Sequence, residues 1–248
     1  MYHKEYIYEQ FKKINIELNE KQINQFYHYF EMIVEKNKVV NLTAITEYED
    51  VVIKHFVDSV LVSQIDGIRN LLEVNENTEV QLIDIGTGAG FPGIPLKIVY
   101  PNISITLLDS LNKRITFLNE VIEQLELEDV NCIHGRAEDF GSNNDYREKY
   151  DICVSRAVAN LSTLSEYCVP FIKVGGIFVS YKSSGAAEEV VNAKNAMKKL
   201  NCRIKEVKEL ELIQSNEVYQ RNFVIIEKKK NLDKRYPRKA GMPARNPL

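Results

Sequence analysis

The chain's densest chemistry lies in Leu82-Ile83-Asp84-Ile85-Gly86-Thr87-Gly88-Ala89-Gly90-Phe91-Pro92-Gly93, an apolar run with an acid and closely spaced glycines. Glycines at a strand-to-helix turn allow positive φ and let a ligand approach the backbone. Gly88, Gly90 and Gly93 also satisfy the literal GxGxxG pattern of dinucleotide binders. Asp84 tilts the reading away from a pyrophosphate, which a carboxylate repels. It can instead accept hydrogen bonds from a ligand ammonium or from loop amides. Asp109 closes the next apolar run about 20 residues after the loop, where a carboxylate can take both ribose hydroxyls of a nucleoside cofactor of either class. Arg156 follows Asp151-Ile152-Cys153-Val154-Ser155. Strand C-termini line the ligand crevice of open α/β sheets, so Arg156 points toward the chemistry, unless a structural ion pair claims it. Phe91 beside the loop suits either stacking on a base or packing in the core.

These residues need a scaffold, and the sequence supplies one. Short β-rich runs at Val80–Ile85, Ile103–Asp109, Val130–His134, 150–155 and 177–181 alternate with helical patterns near 95–100, 111–126, 161–172 and 186–200. Such alternation predicts βαβ units and a parallel sheet with helices on both faces. Residues 203–213 and 218–227 then read as two strands joined by the turn Gln214-Ser215-Asn216; with no room for a crossover helix they should pair antiparallel. Upstream, residues 1–75 read as a helical cap: Ile23, Phe26, Tyr27, Phe30, Ile33 and Val34 recur at helical spacing after Asn19, a suitable N-cap. The expected division is therefore cap 1–75, sheet domain 76–227 and tail 228–248.

The tail alters the charge reading. Over 248 residues the formal net charge is −3, which argues against a globally basic nucleic-acid coater. Residues 228–248 carry eight bases and one acid, so the tail holds +7 and the body −10. With Pro237, Gly241, Pro243 and Pro247 the tail should be extended or loop-like. Its Arg235, Arg238, Lys239 and Arg245 can neutralise phosphates, and Tyr236 can stack on a base. Lys182, ending the fifth run, is a candidate phosphate contact at the pocket rim. His55 and Asp58 share a helical turn and can pair with each other. They are too few for a metal site. The four cysteines form no CxxC pair, which argues against a disulfide framework and a cysteine zinc site. No apolar run approaches the ~20 residues of a membrane helix. The start, MYHKEYIYEQ, lacks a signal peptide's apolar core, so a cytoplasmic location is expected.

An acid followed by GxGxG resembles the first motif of class I S-adenosylmethionine-dependent methyltransferases, whose Rossmann-like sheet also ends in an antiparallel hairpin. In that fold the loop after the third strand passes the adenine, which brings Ala137 and Glu138 to the cofactor. Absent motifs narrow the acceptor. Ser155-Arg156-Ala157-Val158 stands where amino-group methyltransferases of nucleic acids carry Asp/Asn-Pro-Pro-aromatic, and no cysteine follows Pro or Thr as cytosine-C5 enzymes require. A ring nitrogen needs neither, because its lone pair is already a nucleophile and catalysis reduces to positioning.

Asn41-Leu42-Thr43-Ala44-Ile45-Thr46, His55-Phe56-Val57-Asp58-Ser59, the glycine loop, Ser155-Arg156-Ala157 and Arg238-Lys239-Ala240-Gly241-Met242-Pro243 together resemble the bacterial small-subunit ribosomal RNA guanine-N7 methyltransferases, the glucose-inhibited division protein B family. Val57 replaces a commoner Leu. The resemblance implies S-adenosylmethionine as donor. It implies as acceptor a guanosine in the decoding-region stem-loop of 16S ribosomal RNA, met as free RNA, small subunit or assembly intermediate. By the family pattern Gly86, Phe91, Ala137, Glu138 and Arg156 contact the cofactor. Two other readings stay open: a small-molecule or protein methyltransferase, and a non-catalytic nucleoside-sensing module.

Overall fold

The computed structural model describes residues 3–73, 79–156, 158–183, 185–215 and 217–248. Ala157 and Asn216, named above, lie outside them. Among the described residues, seven strands form one sheet: β1 (Val80–Ile85), β2 (Ile103–Asp109), β3 (Val130–His134), β4 (Tyr150–Arg156), β5 (Ile172–Lys182), β6 (Cys202–Gln214) and β7 (Glu217–Lys228). Their order is β3-β2-β1-β4-β5-β7-β6. The first five are parallel; β7 runs antiparallel to both β5 and β6. The expected parallel sheet with an antiparallel C-terminal hairpin is therefore present. β1 and β4 lie side by side although they are far apart in sequence. The strand order reverses between them, and such a reversal opens a crevice beyond the strand C-termini.

One face is covered by the N-terminal helices. These are α1 (Lys4–Lys13), α2 (Glu20–Asn37), α3 (Tyr48–Val51), a π-helical turn over Val52–Val57, α4 (Asp58–Val60), a 3-10 turn over Leu61–Gln64, and α5 (Asp66–Leu72). Asn19 caps α2 as its residue type predicts. Its side chain accepts from the Gln22 amide at 2.9 Å, and the Gln22 side chain accepts from the Asn19 amide at 3.0 Å. The helical spacing then buries Phe26, Tyr29, Phe30 and Ile33; each such side chain contributes roughly 1.5–3 kcal/mol of burial. Polar residues of α2 also tie it down. Gln22 donates to the Ile98 carbonyl at 2.8 Å and Gln25 to the Leu125 carbonyl at 2.7 Å, which satisfies helix-end acceptors of α6 (Gly93–Val99) and α7 (Asn112–Gln124). One apolar cluster runs from Ile7, Phe26 and Phe56 into Leu82, Ile94 and Leu118, straight through the boundary expected near residue 75.

The opposite face carries α8 (Ala137–Gly141), α9 (Leu161–Cys168), α10 (Ala186–Asn192) and α11 (Lys194–Lys199). Two expectations need correction here. The helix predicted over 161–172 ends at Cys168, and a 3-10 turn leads into β5 at Ile172, five residues before the predicted start. Gly175-Gly176 lies within the added residues. In the fold it sits inside the strand at a register shift, with Gly175 at φ +85°. The tail is also not a free arm. Leu232, Tyr236 and Leu248 are buried in the second apolar cluster, and Met242–Arg245 form a short helix, α12.

Candidate active site

The glycine loop leaves β1 at the reversal point. Ser155, on β4, donates to the Ile85 carbonyl at 2.7 Å, and the Gly86 and Thr87 amides donate to the Leu108 carbonyl at 2.8 and 3.2 Å. β4 and β2 thus absorb the backbone groups that the turn would strand. Gly86 (φ +71°) and Gly88 (φ +64°) both adopt left-handed backbone. A Cβ on Gly86 would meet Val158 at 2.6 Å, whereas one on Gly88 would enter open space. The loop is therefore closed at Gly86 and open at Gly88.

Asp84 lies beneath the loop and is fully buried. Its Oδ2 accepts from the Thr87 hydroxyl at 2.8 Å and the Gly93 amide at 2.9 Å; its Oδ1 has no partner among the described residues. Burial pushes its carboxyl up to about 7, against the pull of those two hydrogen bonds. The structure uses Asp84 to shape the loop. Gly90 likewise faces inward: a Cβ there would strike the Tyr29 hydroxyl at 2.6 Å, and that hydroxyl donates to the Ala89 carbonyl.

A cleft of about 790 Å³ opens above the loop. Gly86, Gly88, Phe91, Asp109, Ala137, Glu138 and Arg156 all line it. Lys182 does not, and neither do Asp84 and Gly90. At one end Asp109 accepts from the Gly88 and Leu111 amides, each at 2.9 Å, and pairs with Arg114 at 3.1 Å. It thereby ties the ends of β1 and β2 together. Glu138 accepts from the Gly241 amide at 2.8 Å, which brings the tail to the rim.

The other end is built by the cap. Arg156 reaches across to Asp58, with Nη1 2.9 Å from Oδ2, and the same carboxylate takes Arg221 of β7 at 2.5 Å. Arg156 Nη2 lies 3.3 Å from His55 Nδ1, and His55 Nε2 lies 2.7 Å from the Thr43 hydroxyl. His55 and Asp58 do not pair with each other; both turn to Arg156, because the π-helical turn spreads them apart along the helix. Burial, aided by the Arg156 charge, pulls the His55 imidazole down to about 3, so it is neutral at physiological pH. Phe91 is packed rather than free: its ring stacks on His55 at 4.5 Å, and the Arg156 guanidinium lies 5.1 Å from its centre. Spacing alone left Leu42, Thr43 and His55 without a place in the cleft, because the chain that carries them arrives from a different layer. Their only signal was membership in the quoted motifs.

Several expected phosphate contacts are engaged elsewhere. Lys182 pairs with Glu189 at 2.7 Å and donates to the Ala159 carbonyl. Arg235 pairs with Asp233 at 2.7 Å. Arg238 forks onto the fully buried Glu166 at 2.6 Å. Tyr236 is buried and closed to a base. Lys228 is buried too, bound to Glu148 at 2.7 Å and to the carbonyls of Val169 and Ile172. Among the described residues, exposed Lys230, Lys234, Lys239 and Arg245 have no ion pair, so they keep their charge open to water.

Known proteins place the architecture. A Methanococcus maripaludis protein assigned to the S-adenosyl-L-methionine-dependent methyltransferases superposes with a TM-score of 0.50 at 18% identity, over 82% of this chain and 93% of that one. NSun6 of Pyrococcus horikoshii superposes at 0.51 with 14% identity, over 65% and 50%. These likenesses show the fold, the class I methyltransferase sheet. The sequence goes further. It is 48% identical over 240 residues to ribosomal RNA small subunit methyltransferase G of Lysinibacillus sphaericus, covering 97% of both chains. It is 47% identical over 233 residues to the enzyme of that name from Acetivibrio thermocellus, covering 94% of this chain and 91% of that one. The model of the family described as GidB, rRNA small subunit methyltransferase G, matches residues 22–222, and this chain belongs to that family.

Proposed function

We propose that this protein transfers a methyl group from S-adenosylmethionine to N7 of a guanosine in the decoding-region stem-loop of 16S ribosomal RNA. The observation that carries the reading is the cleft at the reversal point, in a chain of this family. A nucleoside cofactor fits the residues present: Gly88 leaves the floor open, and Asp109 stands at the end of β2. Gly86, Phe91, Ala137, Glu138 and Arg156 are proposed as its contacts. Asp84 and Gly90 serve it indirectly, by holding the loop.

When bound, the cofactor supplies a sulfonium-activated methyl carbon. Guanine N7 offers its own lone pair to such a carbon and has no proton to lose. The chain therefore needs no general base, which agrees with a cap-side wall whose one imidazole is neutral and tied down at both nitrogens. What the chain contributes is positioning. Arg156 retains donors beyond those given to Asp58, His55 and the Lys54 carbonyl, which suits a ligand carboxylate. Lys239 and Arg245, with Lys230 and Lys234, are proposed as the phosphate contacts.

Among the described residues no helix is long and apolar enough to cross a membrane, and no group of three or more His, Cys, Asp or Glu is placed to hold a metal. A substrate that is 16S ribosomal RNA, the small subunit or its assembly intermediate supports a site of action in the cytoplasm. Incubation with methyl-labelled cofactor and undermethylated small subunits tests the reading. Label should enter 16S ribosomal RNA as 7-methylguanosine; label only in small molecules or protein would sink it.

A further inference from the structure

The cap-side wall of the cleft contains a chain of hydrogen bonds that runs through Arg156, His55 and Thr43. An arginine guanidinium only donates. Arg156 Nη2, 3.3 Å from His55 Nδ1, selects the neutral-ring tautomer in which Nδ1 accepts and Nε2 carries the proton; the Lys54 carbonyl, which also hydrogen-bonds the ring, is the competing acceptor for that proton. Nε2–H then donates to the Thr43 hydroxyl oxygen at 2.7 Å. The Ile45 amide donates to that same oxygen at 3.1 Å. A hydroxyl oxygen has two lone pairs, and both are now used. What remains to Thr43 is its own O–H, which has no acceptor among the described residues. Thr43 lines the cleft together with His55, Phe91, Arg156 and Gly86. Arg156 itself cannot turn away and release the chain, because Asp58 holds it from behind at 2.9 Å.

A wall group that can donate but not accept has a consequence for purines. On the Hoogsteen edge, beside the shared N7 acceptor, guanine presents the O6 acceptor and adenine presents the N6 amino donor. We propose that Thr43 is a specificity-determining residue whose hydroxyl, locked as a donor by the Arg156–His55 relay, binds O6 of the target guanine and excludes adenine. The inference rests on the guanine-N7 reading and names the group that enforces it. Adenine would set two donors against each other and strand both. Guanine satisfies the hydroxyl and leaves N7, the adjacent acceptor, unblocked for the methyl group. His55 acts through Thr43 as a positioning residue: protonating its ring would put a second donor against Arg156.

The test uses small subunits reconstituted with 16S ribosomal RNA in which the labelled guanosine is replaced by inosine, 2-aminopurine or adenosine. Inosine keeps O6 and N7; 2-aminopurine keeps N7 and loses O6. The wild-type enzyme should accept inosine nearly as well as guanosine and should lose about tenfold or more in kcat/KM on 2-aminopurine, the scale of one stranded hydrogen bond at a buried site. Thr43→Val should lose a similar factor on guanosine and none further on 2-aminopurine, with cofactor affinity by calorimetry unchanged; Thr43→Ser should restore discrimination. Equal wild-type rates on guanosine and 2-aminopurine would overturn the proposal even if the valine variant failed to fold. So would a folded valine variant that keeps the wild-type ratio between them. A wild-type enzyme that leaves guanosine itself unlabelled would instead overturn the guanine-N7 reading, and the proposal with it.

Discussion

The cleft has two covers, and each is fastened by a buried carboxylate that grips an arginine. On the cap side Asp58 holds Arg156 and Arg221; on the tail side Glu166 holds Arg238. The difference lies in what surrounds the pair. The cap shares one continuous apolar core with the sheet, and Asp58, at the start of α4, joins the cap to two strands of that sheet, β4 and β7. Among the described residues the tail buries Leu232, Tyr236, Pro237, Pro243 and Leu248 as apolar anchors. Its other ties are polar: Arg147 to the Leu232 and Tyr236 carbonyls, Thr163 to the Pro243 carbonyl, and Gly241 to Glu138. The same ion-pair chemistry thus makes a rigid wall in one place and a separable strap in the other. Regions held by few apolar contacts open locally at low cost, and regions in the main core open only with the whole fold.

Removing each carboxylate gives the sharpest contrast. Asp58→Ala leaves two half-buried arginines facing an empty space and should cost about 3–5 kcal/mol of global stability, read by urea unfolding. A loss under 1 kcal/mol would mean that the cap does not depend on this joint. Glu166→Gln should cost less, about 2 kcal/mol, because the glutamine keeps the shape and one oxygen acceptor for Arg238. Its effect should also be confined. Hydrogen exchange should speed up at residues 229–248 while β1 and β4 stay protected; uniform acceleration would erase the distinction between strap and wall.

Acid should separate the covers as well. His55 is about 3 in the fold and 6.5 when unfolded, so the unfolded chain binds the extra proton between those values. Stability from this group is complete above pH 6.5 and falls as pH drops, by about 1.4 kcal/mol per unit. From pH 6.5 to 5 the loss should appear in the wild type and be absent in His55→Gln. The smallest effect on stability belongs to the open tail cations. Changing Lys230, Lys234, Lys239 and Arg245 to Gln should move stability by less than about 0.5 kcal/mol. It should flatten the salt dependence of RNA affinity by about one logarithmic unit of slope for every phosphate that is no longer neutralised. An unchanged slope would return these charges to a role in solubility.

Much of the sheet was legible in the residues. β1, β2 and β3 begin and end where expected: β1 and β2 because central parallel strands are apolar on both faces, and the edge strand β3 because turns punctuate it on both sides. The glycine loop, Asp109 and Arg156 were equally readable, since strand order alone carries them to the crevice. What escaped depends on contacts between distant segments. The tail's +7 resembles a solvated arm until Glu148 and Glu166 are found against it. Lys182 resembles a rim cation until α10 brings Glu189 to it. Thr43 and His55 carry no local mark of the cleft, because a helix from the cap must first dock on the sheet. The net charge of −3 was the least informative number: a polarised surface averages away, and part of the tail's charge is spent on folding.

The central claim, methylation of one guanine in 16S ribosomal RNA, is tested most directly by mass-spectrometric mapping of that RNA from cells with and without the protein. One 7-methylguanosine in the decoding-region stem-loop should disappear with the protein and return with the wild-type chain. Identical maps from the two cells would contradict the account.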